Sequence, residues 1–401
     1  MDSLPTVILR PGEADRIVAG HPWIYHGSVL RLSRPAEDGS LVQVKDHRQR
    51  FIGTGIYNSK SKIHVRVLAS ERIELNEAFF EERIQAALAV RKKHLPEASS
   101  FRVVNAESDL LSGLIVDKYE DVLVLQTSAL GMDQRKDVIL RVLQKLFAPR
   151  AIVERNELAS RKFEGLSDAN GMLVGALAGP VSARLNGLQF EVDLISGHKT
   201  GMYLDQQTNY RVLGGMVRAG AQVLDCFSFT GGFAFHTAKG GAGHVHCLDQ
   251  SADAIEAAKK NAALNGLGDK CSFEAINVFD WLKAQTAAKP HEKVVPRWDL
   301  IILDPPSFTR NRASVPDALR GYKEIHLRAL KLLKPGGTLA TFCCSHHVDA
   351  GLFQDTLLSA AFDARKVLRR IAVLTQSPDH PIIPMIPETE YLKGFVVEVV
   401  R

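Results

Sequence analysis

"VLDCFSFTGGFAF", residues 223–235, decides the reading of this chain. It begins as an apolar run, ends that run on Asp225, turns through Gly231 and Gly232, and continues with the composition of a helix. Strand, glycine-containing turn and helix start together make half of a βαβ unit. The pattern repeats outward. "HVHCLDQ" is strand-like and "SADAIEAAKKNAALNG" helix-like, "CSFEAINV" and "WDLIILDPP" are strand-like, "ALRGYKEIHLRALKLL" is helix-like and "GGTLATFCCS" strand-like. Such alternation predicts a parallel, doubly wound sheet with helices on both faces. The end differs: "ARKVLRRIAVL" and "YLKGFVVEVV" read as two strands with only a loop between them, so the sheet should finish in an antiparallel pair.

The opening stretch also points to a ligand. The two glycines permit close backbone approach, and the helix start offers free amides. Asp249 follows Asp225 by twenty-four residues, at the end of the next strand, where an acidic side chain commonly meets ribose hydroxyls. The G-x-G-x-x-G fingerprint is missing, and Asp225 would repel a diphosphate. A cationic ligand suits it better. S-adenosylmethionine (SAM) carries an amino group, a sulfonium and no phosphate. A tight turn in any α/β protein would show the same glycines.

"LIILDPPSF" (300–308) ends a hydrophobic strand in Asp304-Pro305-Pro306. The prolines fix the backbone behind the carboxylate, which stands at the carboxyl end of a strand, where open α/β sheets bind ligands. The basic segment after it holds Arg310, Arg312, Arg320 and Lys323, which would suit phosphates or a solvated face. "TFCCSHH" (341–347) ends the following strand. Its two cysteines and two histidines lack metal-site spacing, so no metal is expected. Strand alternation sets Cys343 and Ser345 on one side, Cys344 and His346 on the other. Adjacent strands would bring Asp304 and one of these cysteines together.

The remaining chain has its own organisation. Residues 1–72 show short alternating strands ("TVILR", "LVQVKD", "FIGTGIYN", "KIHVRVLA") and read as a small β-barrel-like domain. Residues 73–190 open with the helix-like "NEAFFEERIQAALAVRKKHL" and continue as an α+β module. Residues 191–401 form the doubly wound domain. The net charge is +5, and residues 1–72 hold eleven Lys/Arg against seven Asp/Glu, so the excess lies mainly there. No apolar run approaches the length of a membrane helix, and no signal-peptide core opens the chain. Five cysteines without framework spacing fit a reducing compartment. A cytoplasmic protein without membrane contact is expected.

Taken in order, the motifs resemble the ribosomal RNA large subunit methyltransferase I family over almost the whole chain. "HPWIYHGSV" (21–29) is similar to the start of its PUA domain, and "AESDLLSGLIVDKY" (106–119) to the entry of its central domain. "GHKTGMYLDQQTNY", "CFSFTGGF", "LDPPSF", "RGYKEIHLRAL", "TFCCSHH", "DHP" (379–381) and "YLKGF" (391–395) follow. The resemblance implies a class I methyltransferase, Rossmann-like, with a mostly parallel seven-stranded sheet and an antiparallel C-terminal strand, behind a PUA domain and a central α+β domain. It implies SAM as methyl donor and rRNA processing as the role, with 5-methylcytosine as product. Cys344 matches the nucleophile, and Asp304 both the group that holds the base and one of the cofactor contacts. Tyr203, Asp205 and Gln206 match a segment closing over the cofactor, while Phe227, Gly231 and Asp249 match its loop and ribose site. Asn277 stands where an adenine-side Asp is usual. Trp23, Arg310, Arg312 and Lys323 are the expected RNA contacts, and a homodimer is left open. Leu110 replaces a usual glycine, and Ser307 stands where many RNA cytosine enzymes have a second cysteine. Two other functions compete: methylation of a base nitrogen, such as guanine's, without a cysteine, and a non-catalytic RNA-binding assembly factor.

Overall fold

In the computed structural model, residues 4–157, 159–195, 201–287, 294–309 and 311–401 are described. They form two compact units: 1–184 with 192–204 and 378–389, and 185–191 with 205–377 and 390–401.

The first unit carries two sheets. A six-stranded sheet spans residues 6–69; all its pairings are antiparallel except that of Thr6–Leu9 with Leu41–Lys45. Its core gathers Val7, Leu9, Ile24, Val42, Val44 and Val65. Two of its strands, Trp23–Tyr25 and Val29–Leu32, are too short for alternation to reveal them. A five-stranded sheet follows over 100–174. Here "LIVDKYEDVLVLQ" is a hairpin, Leu114–Tyr119 against Val122–Thr127, turning at Glu120 with φ 53°. The helix Glu77–His94 packs on this sheet through Phe80, Ile84, Ala87 and Arg91, a spacing of three and four residues. Asn76 caps it by accepting the Phe79 amide.

The second unit contains a seven-stranded sheet. In chain order its strands are β1 (Gln222–Cys226), β2 (His244–Asp249), β3 (Cys271–Ala275), β4 (Trp298–Leu303), β5 (Leu333–Cys343), β6 (Leu368–Leu374) and β7 (Lys393–Val399). They are ordered β3-β2-β1-β4-β5-β7-β6, and only the pairings of β7 are antiparallel. This is the class I methyltransferase architecture that the alternation and the final strand pair predict. The C-terminal parts of β1, β4 and β5 are buried at consecutive positions, as in a sheet covered on both faces. One element departs from the sequence reading. "CSFEAINV" ends as a strand at Ala275, and Val278–Thr286 is a helix. Among the described residues no helix is long and apolar enough to cross a membrane.

Candidate functional site

The first corner lies at the ends of β1 and β2. The turn leaving β1 is unusual: Phe227, Phe229 and Gly231 have φ of 64°, 46° and 93°. Two non-glycine residues in the left-handed region within one turn store strain, as functional sites often do. Asp249 holds the turn in place. Its carboxylate accepts the Phe229 amide at 3.0 Å and the Ser251 amide at 2.9 Å. It stays half-buried, with lone pairs to spare for ligand hydroxyls. The glycines also answer to the protein's own packing. A Cβ on Gly231 would meet the Phe235 ring at 2.2 Å, and one on Gly232 the Tyr210 ring at 2.5 Å. Both are needed by the protein's own packing.

Asp225 is 1% exposed, and among the described residues neither carboxylate oxygen meets a donor in bonding geometry. Burial and the nearby Asp304 push its pKa well above the usual carboxylate range, with the Ala234 amide acting against them. A buried acceptor without a donor is costly. A ligand that brings an ammonium or hydroxyl satisfies it, so this corner fits the amino group of SAM. Asn277 caps the helix Val278–Thr286, its Oδ1 accepting the amides of Phe279 (2.9 Å) and Asp280 (3.3 Å). The oxygen thereby serves as the N-cap of this helix.

The segment "GMYLDQQ" divides between the units. Tyr203 belongs to the first, Asp205 and Gln206 to the second. Asp205 Oδ2 accepts the Tyr391 hydroxyl at 2.7 Å, and its backbone oxygen accepts the Ser377 amide. Asp205 Oδ1 is buried without a donor among the described residues. Gln206 is buried, and its side-chain oxygen accepts from Asn209.

The second corner lies at the ends of β4 and β5, which pair in parallel as Leu303 with Thr341. Phe308 anchors the Asp-Pro-Pro loop, its ring packed at tilted angles against Tyr322 (centroids 4.6 Å apart) and Phe279 (5.7 Å). Cys344 Sγ lies 3.9 Å from the Pro305 carbonyl, beside half-buried Asp304. Cys343 is wholly buried in the core of this unit. Beneath the strand end a polar chain runs from Ser307 Oγ to Ser345 Oγ (3.0 Å) and on to the Tyr322 hydroxyl (3.2 Å). Burial, with the neighbouring cysteines, raises the pKa of Tyr322, so it acts as a neutral donor or acceptor.

The expected RNA contacts fare differently. Arg310 lies outside the described residues. Arg312 is exposed. Lys323 is ion-paired with Asp363 at 2.8 Å, on the helix Ala350–Asp363, and Arg320 with Asp317. The basic segment is thus partly neutralised from within, by partners that sequence proximity reveals only for Arg320. Trp23 donates its indole N–H to Glu107 at 3.0 Å, and the Arg66 guanidinium lies 5.8 Å from its ring. Its polar atom is engaged within the first unit. Sequence reasoning passed over the lysine of "YLKGF": Lys393 Nζ donates to the Ser345 carbonyl at 2.8 Å. The motif's position at the start of the antiparallel strand was the available signal. Among the described residues, no three His, Cys, Asp or Glu side chains converge as metal ligands would.

Comparison with known proteins agrees with this fold. Residues 7–70 match the PUA-like domain family, and residues 127–392 the S-adenosylmethionine-dependent methyltransferase family. A SAM-dependent methyltransferase structure from Streptococcus mutans superimposes with a TM-score of 0.82 at 20% identity, over 98% of this chain and 100% of that one. The methyltransferase SMU.776 complexed with SAH gives 0.83 at 21%, with the same coverage; at such identities the likeness is one of fold. The ribosomal RNA large subunit methyltransferase I of Shewanella amazonensis is 39% identical over 98% of both chains. With that identity along nearly its whole length, the chain belongs to the ribosomal RNA large subunit methyltransferase I family of SAM-dependent enzymes.

Proposed function

We propose that the protein methylates carbon 5 of a cytosine in large-subunit ribosomal RNA through a covalent bond between Cys344 and carbon 6. One observation carries this reading. Of five cysteines four are buried, and the half-exposed one, Cys344, stands beside the Asp304-Pro305 loop. The relatives' name supports the ribosomal substrate, and the excess positive charge of residues 1–72 suits RNA phosphates.

Carbon 5 of cytosine is a poor nucleophile. Addition of the Cys344 thiolate to carbon 6 moves the ring's electron pair onto carbon 5, which then takes a methyl group. Asp304, in its protonated form, donates its O–H to N3 or passes the proton to it, so that charge does not build up on the ring. Bound SAM supplies the electrophilic methyl group. Asp225 would receive its amino group and Asp249 its ribose hydroxyls, with Asp205, Gln206, Phe227, Gly231 and Asn277 around it. The C5 proton then passes to a base, the C5–C6 double bond re-forms and the sulfur departs as thiolate. Attack from above the ring requires an unstacked cytosine. Action on ribosomal RNA would put this activity in the cytoplasm.

The test is Cys344→Ala with tritiated SAM and rRNA. Loss of transfer with SAM binding retained is expected, as is a covalent adduct of the unaltered protein with 5-fluorocytosine-containing RNA. Full activity of the variant would turn the reading to nitrogen methylation. Absence of SAM binding in the unaltered protein would turn it to a non-catalytic RNA-binding factor.

A further inference from the structure

A thiol that must attack near neutral pH needs something to favour its thiolate. Resting on the reading of Cys344 as nucleophile, we propose that Lys393 is a positioning residue for this reaction: its buried ammonium fixes the turn after Cys344 and favours the thiolate there.

Lys393 opens β7 and lies across from Cys343, the last residue of β5. Its side chain is nearly sealed from solvent, at 9% exposure. Nζ donates to two backbone carbonyls, Ser345 and Tyr391, each at 2.8 Å. Both acceptors are neutral, and among the described residues no carboxylate reaches ion-pair distance of Nζ. A buried cation bonded only to dipoles lacks a counter-charge. Burial lowers its pKa, and the groups that oppose this are, in order, Cys343, Cys344, Glu390 and Asp349. The influence is reciprocal: a cation favoured by an anionic sulfur favours that anion equally. Cys343 is wholly buried and out of reach of a base, whereas Cys344 is accessible.

The other titratable groups around this corner come from several elements. Tyr322 faces it from the helix Val315–Leu332, bonded to Ser345. Asp304 precedes the carbonyl that Cys344 meets. His346 and Tyr391 lie with ring centroids 5.8 Å apart. Lys393 is a cation whose interactions include both cysteines. The bonding also extends to the cofactor segment. The residue whose carbonyl holds Nζ, Tyr391, gives its hydroxyl to Asp205. "YLKGF" thereby gains a purpose as the link between the thiol and the cofactor segment.

The test reads the thiol directly. Unaltered protein is alkylated with iodoacetamide across a pH series, and modification of Cys344 is quantified by peptide mass mapping. The half-maximal rate is expected at least about one pH unit below the free-thiol value of about 8.5; a midpoint at or above that value overturns the proposal. Lys393→Gln keeps a donor for the Ser345 carbonyl but removes the charge, and should move the midpoint up by about one unit. Lys393→Arg should restore most of it. A Lys393→Gln profile that superimposes on the unaltered one, with SAM binding intact by calorimetry, also overturns it. A purely structural lysine would lower the melting temperature of both variants and leave the midpoint in place. If Lys393→Gln does not fold, the midpoint of the unaltered protein decides. Failure here is distinct from failure of the nucleophile: Cys344→Ala retaining full activity overturns the latter, an unmoved midpoint only the former.

Discussion

Buried charge is handled in opposite ways in the two units. In the first, buried ions have ionic partners. Arg91, with no exposed surface, uses every guanidinium N–H: two on the Asp109 carboxylate and three on the carbonyls of Arg102, Ala87 and Asp379. Arg102 pairs with Asp117, Arg161 with Asp133, and Arg66 with Glu107 and Glu164. In the second unit, among the described residues, neither Asp225 oxygen nor His326 Nδ1 has a partner in bonding geometry, and the Lys393 ammonium hydrogen-bonds to the carbonyls of Ser345 and Tyr391. Paired ions are a scaffold's way of fixing one geometry. Unpaired ones raise the energy of the empty protein and wait for a ligand or a reaction, which is why perturbed groups gather at sites.

The comparison breaks most readily at Asp109. Asp109→Ala strands the sealed Arg91 guanidinium and should cost about 3–5 kcal/mol in urea unfolding; a loss below about 1 kcal/mol would show the pairing to be decorative. Acid should act chiefly on the second unit. Burial holds His326 at about 3 and His236 at about 4, against an ordinary 6.5. Below pH 6.5 the unfolded chain therefore takes up protons that the fold refuses, and stability falls as pH drops toward those values. His326→Phe should flatten this slope between pH 7 and 5 in urea midpoints; an unchanged slope would remove His326 from the account. Asp225→Asn sharpens the contrast. It removes an unpartnered buried charge, so the melting temperature should hold or rise, while SAM affinity by calorimetry falls about 10–100-fold, the effect of losing a charged hydrogen bond. Weaker folding with unaltered affinity would make Asp225 structural. The smallest effect is at Leu110, whose φ of 57° lies in the left-handed region that glycine adopts without strain. Leu110→Gly should shift stability by under about 1 kcal/mol.

Much of the second unit was legible in the chain. Apolar runs ending on Asp225, Asp249 and Asp304, each followed by a turn and a helix pattern, dictate a parallel sheet whose carboxyl ends carry the acidic groups, because periodicity and strand termination are local properties. The strands Trp23–Tyr25 and Val29–Leu32 were less legible, since three or four residues hold too little alternation. The helix after Asn277 was hidden by an apolar run that serves either state.

Adjacent in sequence, Cys343 and Cys344 differ by alternation alone, and the chain by itself determined that they face opposite sides. Tertiary structure decided what each faces: the core for one, the Pro305 carbonyl for the other. It also decided that Lys323 is bound to Asp363, that Gly231 and Gly232 yield to Phe235 and Tyr210, and that Lys393 reaches Ser345. Each of these depends on groups far apart along the chain, and only packing, not local pattern, brings them within a few ångströms.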